Sequence, residues 1–415
     1  MADDHPLGTP LTLRSGLVLP NRIAKAAMTE DLADRRRNDP GERHERLYAR
    51  WSRGGAGLLL TGNVMVDRRF LERAGNVVID RHTDRAAFAR FAAAAKVGGA
   101  KALVQINHPG RQTNVFMSRR PVAPSPVRVK VLGSFAKPRA LQDAEVERLV
   151  ERFAEVAEMA QEAGFDGVQV HAAHGYLASQ FLSPRTNLRE DRWGGSLEGR
   201  ARFLLACVRA IRARTGKGFT LSVKLNSADF QRGGFEEGES LEVARWLDAE
   251  GIDLLEISGG NYEAPELLGL QDARSERTKA REAYFLDYAR TLRGKVEVPL
   301  MLTGGLRTRA TMEALVRDRD VDLVGLARPL AIAPELPRGL LDGSVDASEA
   351  GEKRVGVKGL DALVGAGWYA MQIARLAEGM EPEPALRAWS AVVPSFGSEI
   401  GGMLARFGRR VPSSL

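Results

Sequence analysis

The chain has 415 residues, 44% hydrophobic and 27% charged, enough to bury a sizeable core in one large domain or two smaller ones. Its formal charge is +7 and its pI about 9.6, yet the arginines are spread among glutamates, as in VERLVERFAEV, which argues against a nucleic-acid partner and for anionic cofactors or substrates. No apolar run is long enough for a membrane span, MADDHPLG lacks a signal-peptide pattern, and a single cysteine, Cys207 in FLLACVRAI, excludes an internal disulfide and reads as a core thiol, so a cytoplasmic address is expected.

Leu11–Leu13 and Leu17–Leu19 flank Arg14–Ser15–Gly16 and read as a β-hairpin that precedes the main pattern and caps one end of it. Strand signals then recur at Ile23–Thr29, Gly57–Gly62, Ala102–Asn107, Gly167–His171, Thr220–Asn226, Asp253–Ser258, Val298–Thr303 and Asp322–Leu326. Helical stretches lie between them: Glu42–Arg53, Arg85–Val97, Glu145–Ala163, about Ser196–Arg214, Leu241–Glu250, Tyr284–Arg293 and Arg309–Arg317. Eight βα units without a composition shift predict an α/β fold, a closed (β/α)8 TIM barrel, with a doubly wound open sheet as the alternative. Parity favours the barrel. Leu221, Val223 and Leu225 share one face of their strand and Ser222, Lys224 and Asn226 the other, whereas both faces of an open parallel sheet would be apolar. Residues 1–340 are expected to form the barrel, and 341–415 a linker and a C-terminal helical extension packed on it, with Trp368–Gly379 helical and a candidate for self-contact in a homo-oligomer.

Chemistry concentrates at strand ends. Gln105, His171, Lys224 and Glu256 sit on polar faces near the carboxyl ends of their strands. A lysine inside a barrel needs an anion or acceptor, supplied either by a lysine–glutamate pair or by an electron-rich cofactor. Strands seven and eight end in LTGGLR and VGLARP, where Gly304, Gly305, Arg307 and Arg328 suit a phosphate. GFDGVQVHAAHGYLASQFLSPRTN carries His171 and His174, better placed as donors to a substrate oxygen than as metal ligands, because no third ligand accompanies them. Tyr176, a phenol protonated at neutral pH, could donate a proton to a carbanion-like centre. Pro184 and Asn187 fall in a longer polar loop. No nucleophile elbow or P-loop is present.

The pieces PNRIAKAAMTE, LLLTGNVMV, ALVQINHPGRQ, GFDGVQVHAAHGYLASQFLSPRTNLREDRWGGS, SVKLNSADF, MLTGGLRT and VGLARPL, spread over Leu11 to about Pro337, resemble in order the old yellow enzyme family of FMN-dependent NAD(P)H oxidoreductases. The fourth-strand piece is highly specific; the TGG and LARP pieces are not on their own. The resemblance implies FMN at the carboxyl-end mouth, with Ala27, Met28 and Thr29 along the flavin and Thr29 near its C4 carbonyl. Gly62 and Gln105 would approach its pyrimidine side, Lys224 its N1 and C2 carbonyl, and Gly304, Gly305, Ala327 and Arg328 its phosphate. It also implies that NADH or NADPH reduces the flavin, and that N5 passes hydride to an activated alkene or quinone-like small-molecule acceptor. His171 and His174 would bind the acceptor oxygen, and Tyr176 would protonate the α carbon of the alkene.

Three positions depart from common family patterns: Lys224 stands where many members have arginine, Thr29 where one subgroup has cysteine, and the pair is His–His rather than His–Asn. One cysteine and this length leave no room for the iron–sulfur cluster and second flavin domain of larger relatives. Two other readings stay open here: a phosphate-binding barrel lyase or isomerase using Lys224 as a Schiff base, and a non-catalytic ligand-binding barrel.

Overall fold

In the computed structural model, which describes residues 5–130, 135–258, 276–348 and 358–391, the alternation read in the strands decides what lies inside. The first half comprises β1 (Leu11–Thr12), β2 (Val18–Leu19), β3 (Ile23–Lys25), α1 (Glu42–Arg53), β4 (Leu58–Leu60), β5 (Val64–Met65), α2 (Arg85–Lys96) and β6 (Lys101–Asn107). Next come β7 (Val122–Ala123), β8 (Arg139–Ala140), α3 (Asp143–Glu162), β9 (Gly167–Ala172), α4 (Leu177–Leu182), α5 (Leu197–Thr215) and β10 (Thr220–Asn226). The remainder is α6 (Glu237–Ala249), β11 (Leu254–Ser258), α7 (Glu276–Arg293), β12 (Leu300–Thr303), α8 (Arg309–Arg317), β13 (Leu323–Leu326), α9 (Leu336–Asp342) and α10 (Lys358–Ala377).

Strands β3, β4, β6, β9, β10, β11, β12 and β13 pair in parallel in that order, and β13 pairs back to β3. This is a closed (β/α)8 barrel. Leu221, Val223 and Leu225 join the large core between strands and helices, as do Val104 and Ile106. The interior near the amino ends is filled by Ala24, Leu58, Leu60, Leu103, Leu254, Met301 and Leu323. Leu11, Leu13 and Leu19 of the β1–β2 hairpin belong to the same cluster, so the hairpin plugs that end. Gly16 at its turn has φ 87°, a conformation in which a Cβ is strained. The plug leaves the carboxyl ends as the open side.

Several boundaries differ from expectation, each for a local reason. The β3 ladder ends at Lys25 rather than Thr29: the Ala26 amide still donates to the Leu326 carbonyl at 2.8 Å, and residues 27–30 leave the sheet to border the mouth. A short helix, α4, stands in the polar loop expected after His171, and its six residues are all buried. Asn187 there clamps the chain, its amide donating to the carbonyls of Phe181 at 2.8 Å and Trp193 at 2.7 Å. α6 begins a turn early, where Glu236 and Glu239 form a capping box. In the stretch expected to be a linker, α9 continues to Asp342 and α10 starts at Lys358, while 349–357 lie outside the described residues, as do 392–415.

Trp368, Tyr369, Ile373 and Leu376 of α10 are at most 6% exposed and pack into the chain's own core, so these apolar residues are not a free self-association face. Arg46 of α1 donates to the Ala377 carbonyl at 2.6 Å. Cys207 is fully buried, and burial pushes its thiol well above the ordinary range. No helix among the described residues is long and apolar enough to cross a membrane.

Candidate active site

Barrel closure brings the strand-end residues onto neighbouring strands. β12, β13 and β3 are adjacent, with Thr303 opposite Gly325 and Leu326 opposite Lys25, so the glycine–arginine turns lie beside the stretch 27–29. Ala27, Met28 and Thr29 are only partly buried, whereas all of β3 is buried. Gly304 and Gly305 adopt φ 123° and 75°, and nothing lies within 4 Å of where a Gly304 Cβ would stand. Arg328 is exposed, with its guanidinium 5.9 Å from the ring of Tyr369 in α10. Ala327 takes the irregular φ −115°, ψ −94° at the start of that turn. The Thr303 hydroxyl is buried without a hydrogen-bond partner among the described residues. A Cβ on Gly325 would meet it at 2.1 Å, so only glycine leaves that hydroxyl its space.

Across the mouth, β6, β9, β10 and β11 present a polar layer. Register sets His171 beside Lys224, Lys224 beside Glu256, and Gln105 beside Gln169. The Lys224 ammonium is 2.9 Å from Glu256, and both side chains are at most 5% exposed. The lysine–glutamate pair considered from sequence is therefore present. Gln105 donates to Gln169 at 2.7 Å, and Gln169 donates to Glu256 at 2.9 Å. The Gly62 amide donates to Glu30 at 2.8 Å and lies 3.1 Å from the Tyr48 hydroxyl, so it is already engaged within the protein. A Cβ on Gly62 would meet Glu30 at 2.1 Å and the Met28 carbonyl at 2.3 Å. The Thr29 hydroxyl donates to Glu72 at 3.3 Å and accepts from Asn63 at 3.3 Å. The Thr29 hydroxyl is thus engaged by two partners within the protein.

The imidazole–phenol cluster stands over this layer. The ring of His171 is 5.1 Å from that of His174 and 4.8 Å from that of Tyr176. His174 holds a left-handed φ of 59°, and Gly175 follows at 76°. A non-glycine residue there stores strain that surrounding contacts must offset. The Asn226 side chain accepts from the His174 amide at 3.2 Å, Gln112 donates to its carbonyl at 3.1 Å, and Gln180 donates to Gly175 at 2.7 Å. His174 Nε2 also lies 2.6 Å from the Ser258 hydroxyl. These anchors were not legible as a set in the sequence, because they come from four separate segments.

Burial holds His171 well below the usual imidazole range, with His174 and Lys224 adding to the effect; burial and Lys224 do the same for His174. Both rings are neutral at pH 7. Nδ1 of His171 accepts the Ala173 amide at 3.2 Å, which leaves Nε2 to carry the proton. Among the described residues no group of His, Cys, Asp and Glu could hold a metal ion. A cavity of about 540 Å³ lies elsewhere, outside the barrel between α3 and the loop before α2, lined in part by Asp67, Arg69, Asp80 and Arg152. Its opposite charges largely pair with one another, as Arg68 does with Asp80, and it contains none of the strand-end residues.

The sequence model of the NADH:flavin oxidoreductase / NADH oxidase family matches residues 6–346. The chain belongs to this family. It is 39% identical over 364 residues to the NADH-dependent flavin oxidoreductase iliE of Hypocrea jecorina, covering 81% of this chain and 89% of that protein. It is 35% identical over 337 residues to the NADH oxidase of Thermoanaerobacter brockii, covering 79% of this chain but only 49% of that larger protein. In structure it overlays morphinone reductase with a TM-score of 0.68 at 25% identity, over 84% of this chain and 93% of that one. A 2-naphthoyl-CoA reductase complex shares the fold, with a TM-score of 0.79 at 24% identity over 90% of this chain and 58% of that one. This flavin oxidoreductase of the old yellow enzyme family is therefore an enzyme that uses FMN, with a nicotinamide nucleotide as electron donor. The residues present fit FMN. The open glycine turns, the exposed Arg328 and the unpartnered Thr303 hydroxyl suit the phosphate end, and the part-exposed 27–29 stretch and the polar layer suit the ring.

Proposed function

We propose that this oxidoreductase reduces activated C=C bonds, such as those of enones, or quinone-like acceptors, with Tyr176 as proton donor. The observation that carries this reading is the packing of the His174 and Tyr176 rings around His171, which the left-handed His174–Gly175 turn makes possible and which sets His171 directly beside Lys224. When bound, FMN accepts hydride from NADH or NADPH and passes it to the acceptor. Gly304, Gly305, Ala327 and Arg328 hold its phosphate, and Ala27, Met28, Thr29, Gly62 and Gln105 border its ring. Lys224 presents positive charge where the reduced ring gathers negative charge, and the water-poor mouth strengthens that attraction. His171, with its proton on Nε2, and His174 donate to the acceptor oxygen and draw electron density from the alkene. Tyr176 then gives its phenolic proton to the α carbon. We read residues 1–340 as the flavin-binding unit and 341–415 as its linker and extension, acting in part through Tyr369 beneath Arg328.

The test separates the two half-reactions. Anaerobic mixing of reduced Tyr176→Phe with 2-cyclohexenone should be slowed by about 100-fold or more, while reduction of its flavin by NADH should match the wild type. Equal enone rates in the two proteins would remove Tyr176 from the role. An oxidised wild type that accepts electrons from NADH but ignores enones would move the acceptor to quinones.

A further inference from the structure

One carboxylate organises the whole polar layer of the mouth. Glu256 is fully buried; one of its oxygens lies 2.9 Å from Lys224 and the other accepts from Gln169 at 2.9 Å. A carboxylate only accepts, so the Gln169 amide must turn its nitrogen toward Glu256. That nitrogen also reaches the Ser222 hydroxyl at 3.2 Å. The Gln169 carbonyl is thereby directed to Gln105, which donates to it at 2.7 Å. The polarity set at Glu256 thus passes through two amides to Gln105 and directly to Lys224. A buried ion pair is weak support for stability, since an apolar pair of similar volume often serves as well. Its place in the layer calls for another role.

We propose that Glu256 is a positioning residue for the flavin: it fixes the Lys224 ammonium, sets the amide sense of Gln105 through Gln169, and offsets the lysine charge so that the flavin potential lies below the value a lone lysine would give. The inference rests on the FMN reading of the site. Reduction adds negative charge to the ring, and a nearby carboxylate opposes that addition in a medium of low dielectric. Removing the carboxylate charge therefore favours the reduced form.

The experiment is an anaerobic equilibrium titration of FMN-loaded wild type, Glu256→Gln and Glu256→Asp against a reference dye. The ratio of reduced to oxidised FMN affinity should rise at least tenfold in Glu256→Gln, an upward shift of about 30 mV for a two-electron couple. Glu256→Asp should shift in the same direction by less, because its shorter side chain draws the carboxylate back. If Glu256→Gln does not retain FMN, Glu256→Asp decides alone. Potentials that stay at the wild-type value or fall would overturn the inference, since a purely structural residue gives no reason for an upward shift. A wild type that takes up no FMN would instead remove the reading beneath it.

Discussion

Two lysines are buried in the wall of this barrel, and their surroundings differ. Lys224 points inward, 2.9 Å from the carboxylate of Glu256. Lys25 points outward beneath α1, where its ammonium donates to the Leu60 carbonyl at 2.7 Å and the Tyr48 hydroxyl at 3.2 Å. It also lies 4.4 Å from the Trp51 ring and 4.9 Å from that of Tyr48. The nearest carboxylate, Glu30, is reached through the Tyr48 hydroxyl, which donates to it. Burial pushes Lys25 down to about 8, against the pull of Glu30. A lysine in contact with a carboxylate is arranged to present charge; one held by a carbonyl, a hydroxyl and two rings is arranged to pack. The same residue type on the two faces of one wall does different work.

Replacing each lysine tests the contrast. Lys224→Met strands a fully buried carboxylate and should lose about 3–5 kcal/mol of stability by urea unfolding at pH 7. An unfolding midpoint equal to wild type would break the comparison at its inner half. For Lys25 the sign follows from its lowered pKa. Between about 8 in the folded state and 10.5 in the unfolded state, the unfolded chain binds more protons, so stability rises as pH climbs through that window. The gain is up to about 3 kcal/mol, and Lys25→Met should abolish it. Curves of unfolding free energy against pH that run parallel in wild type and variant would contradict the outer half.

The smallest effect concerns the histidines beside Lys224. Because burial keeps both well below the usual range, binding of a small neutral phenol, measured by calorimetry, should vary less than about twofold from pH 6 to 8. A step near the ordinary imidazole pKa of about 6.5 would show that neither burial nor Lys224 holds them down.

Much of this was legible because period-two alternation is a local signal. Thr220–Asn226 shows its inner and outer faces directly, and Glu42–Arg53 and Arg309–Arg317 carry complete turns between clear breaks. α4 was hidden because six residues span too little for helical periodicity to register. The Gln105–Gln169–Glu256–Lys224 chain was hidden for another reason. Gln169 and Glu256 are 87 residues apart, and only the stagger of parallel strands makes them neighbours. Gln105, His171, Lys224 and Glu256 could each be picked by parity, but their order of contact could not. The Glu72 and Asn63 partners of Thr29 lie in a segment of mostly irregular structure, where no period reports side-chain direction.

We propose that the mouth holds an FMN that a nicotinamide nucleotide reduces and an activated alkene reoxidises. This central claim is tested most directly by the visible absorbance of the purified protein, followed anaerobically during addition of NADH or NADPH and then of 2-cyclohexenone. Flavin bands that bleach with nucleotide and return with the enone are the predicted result. A protein without flavin bands, even after incubation with FMN, would contradict the claim.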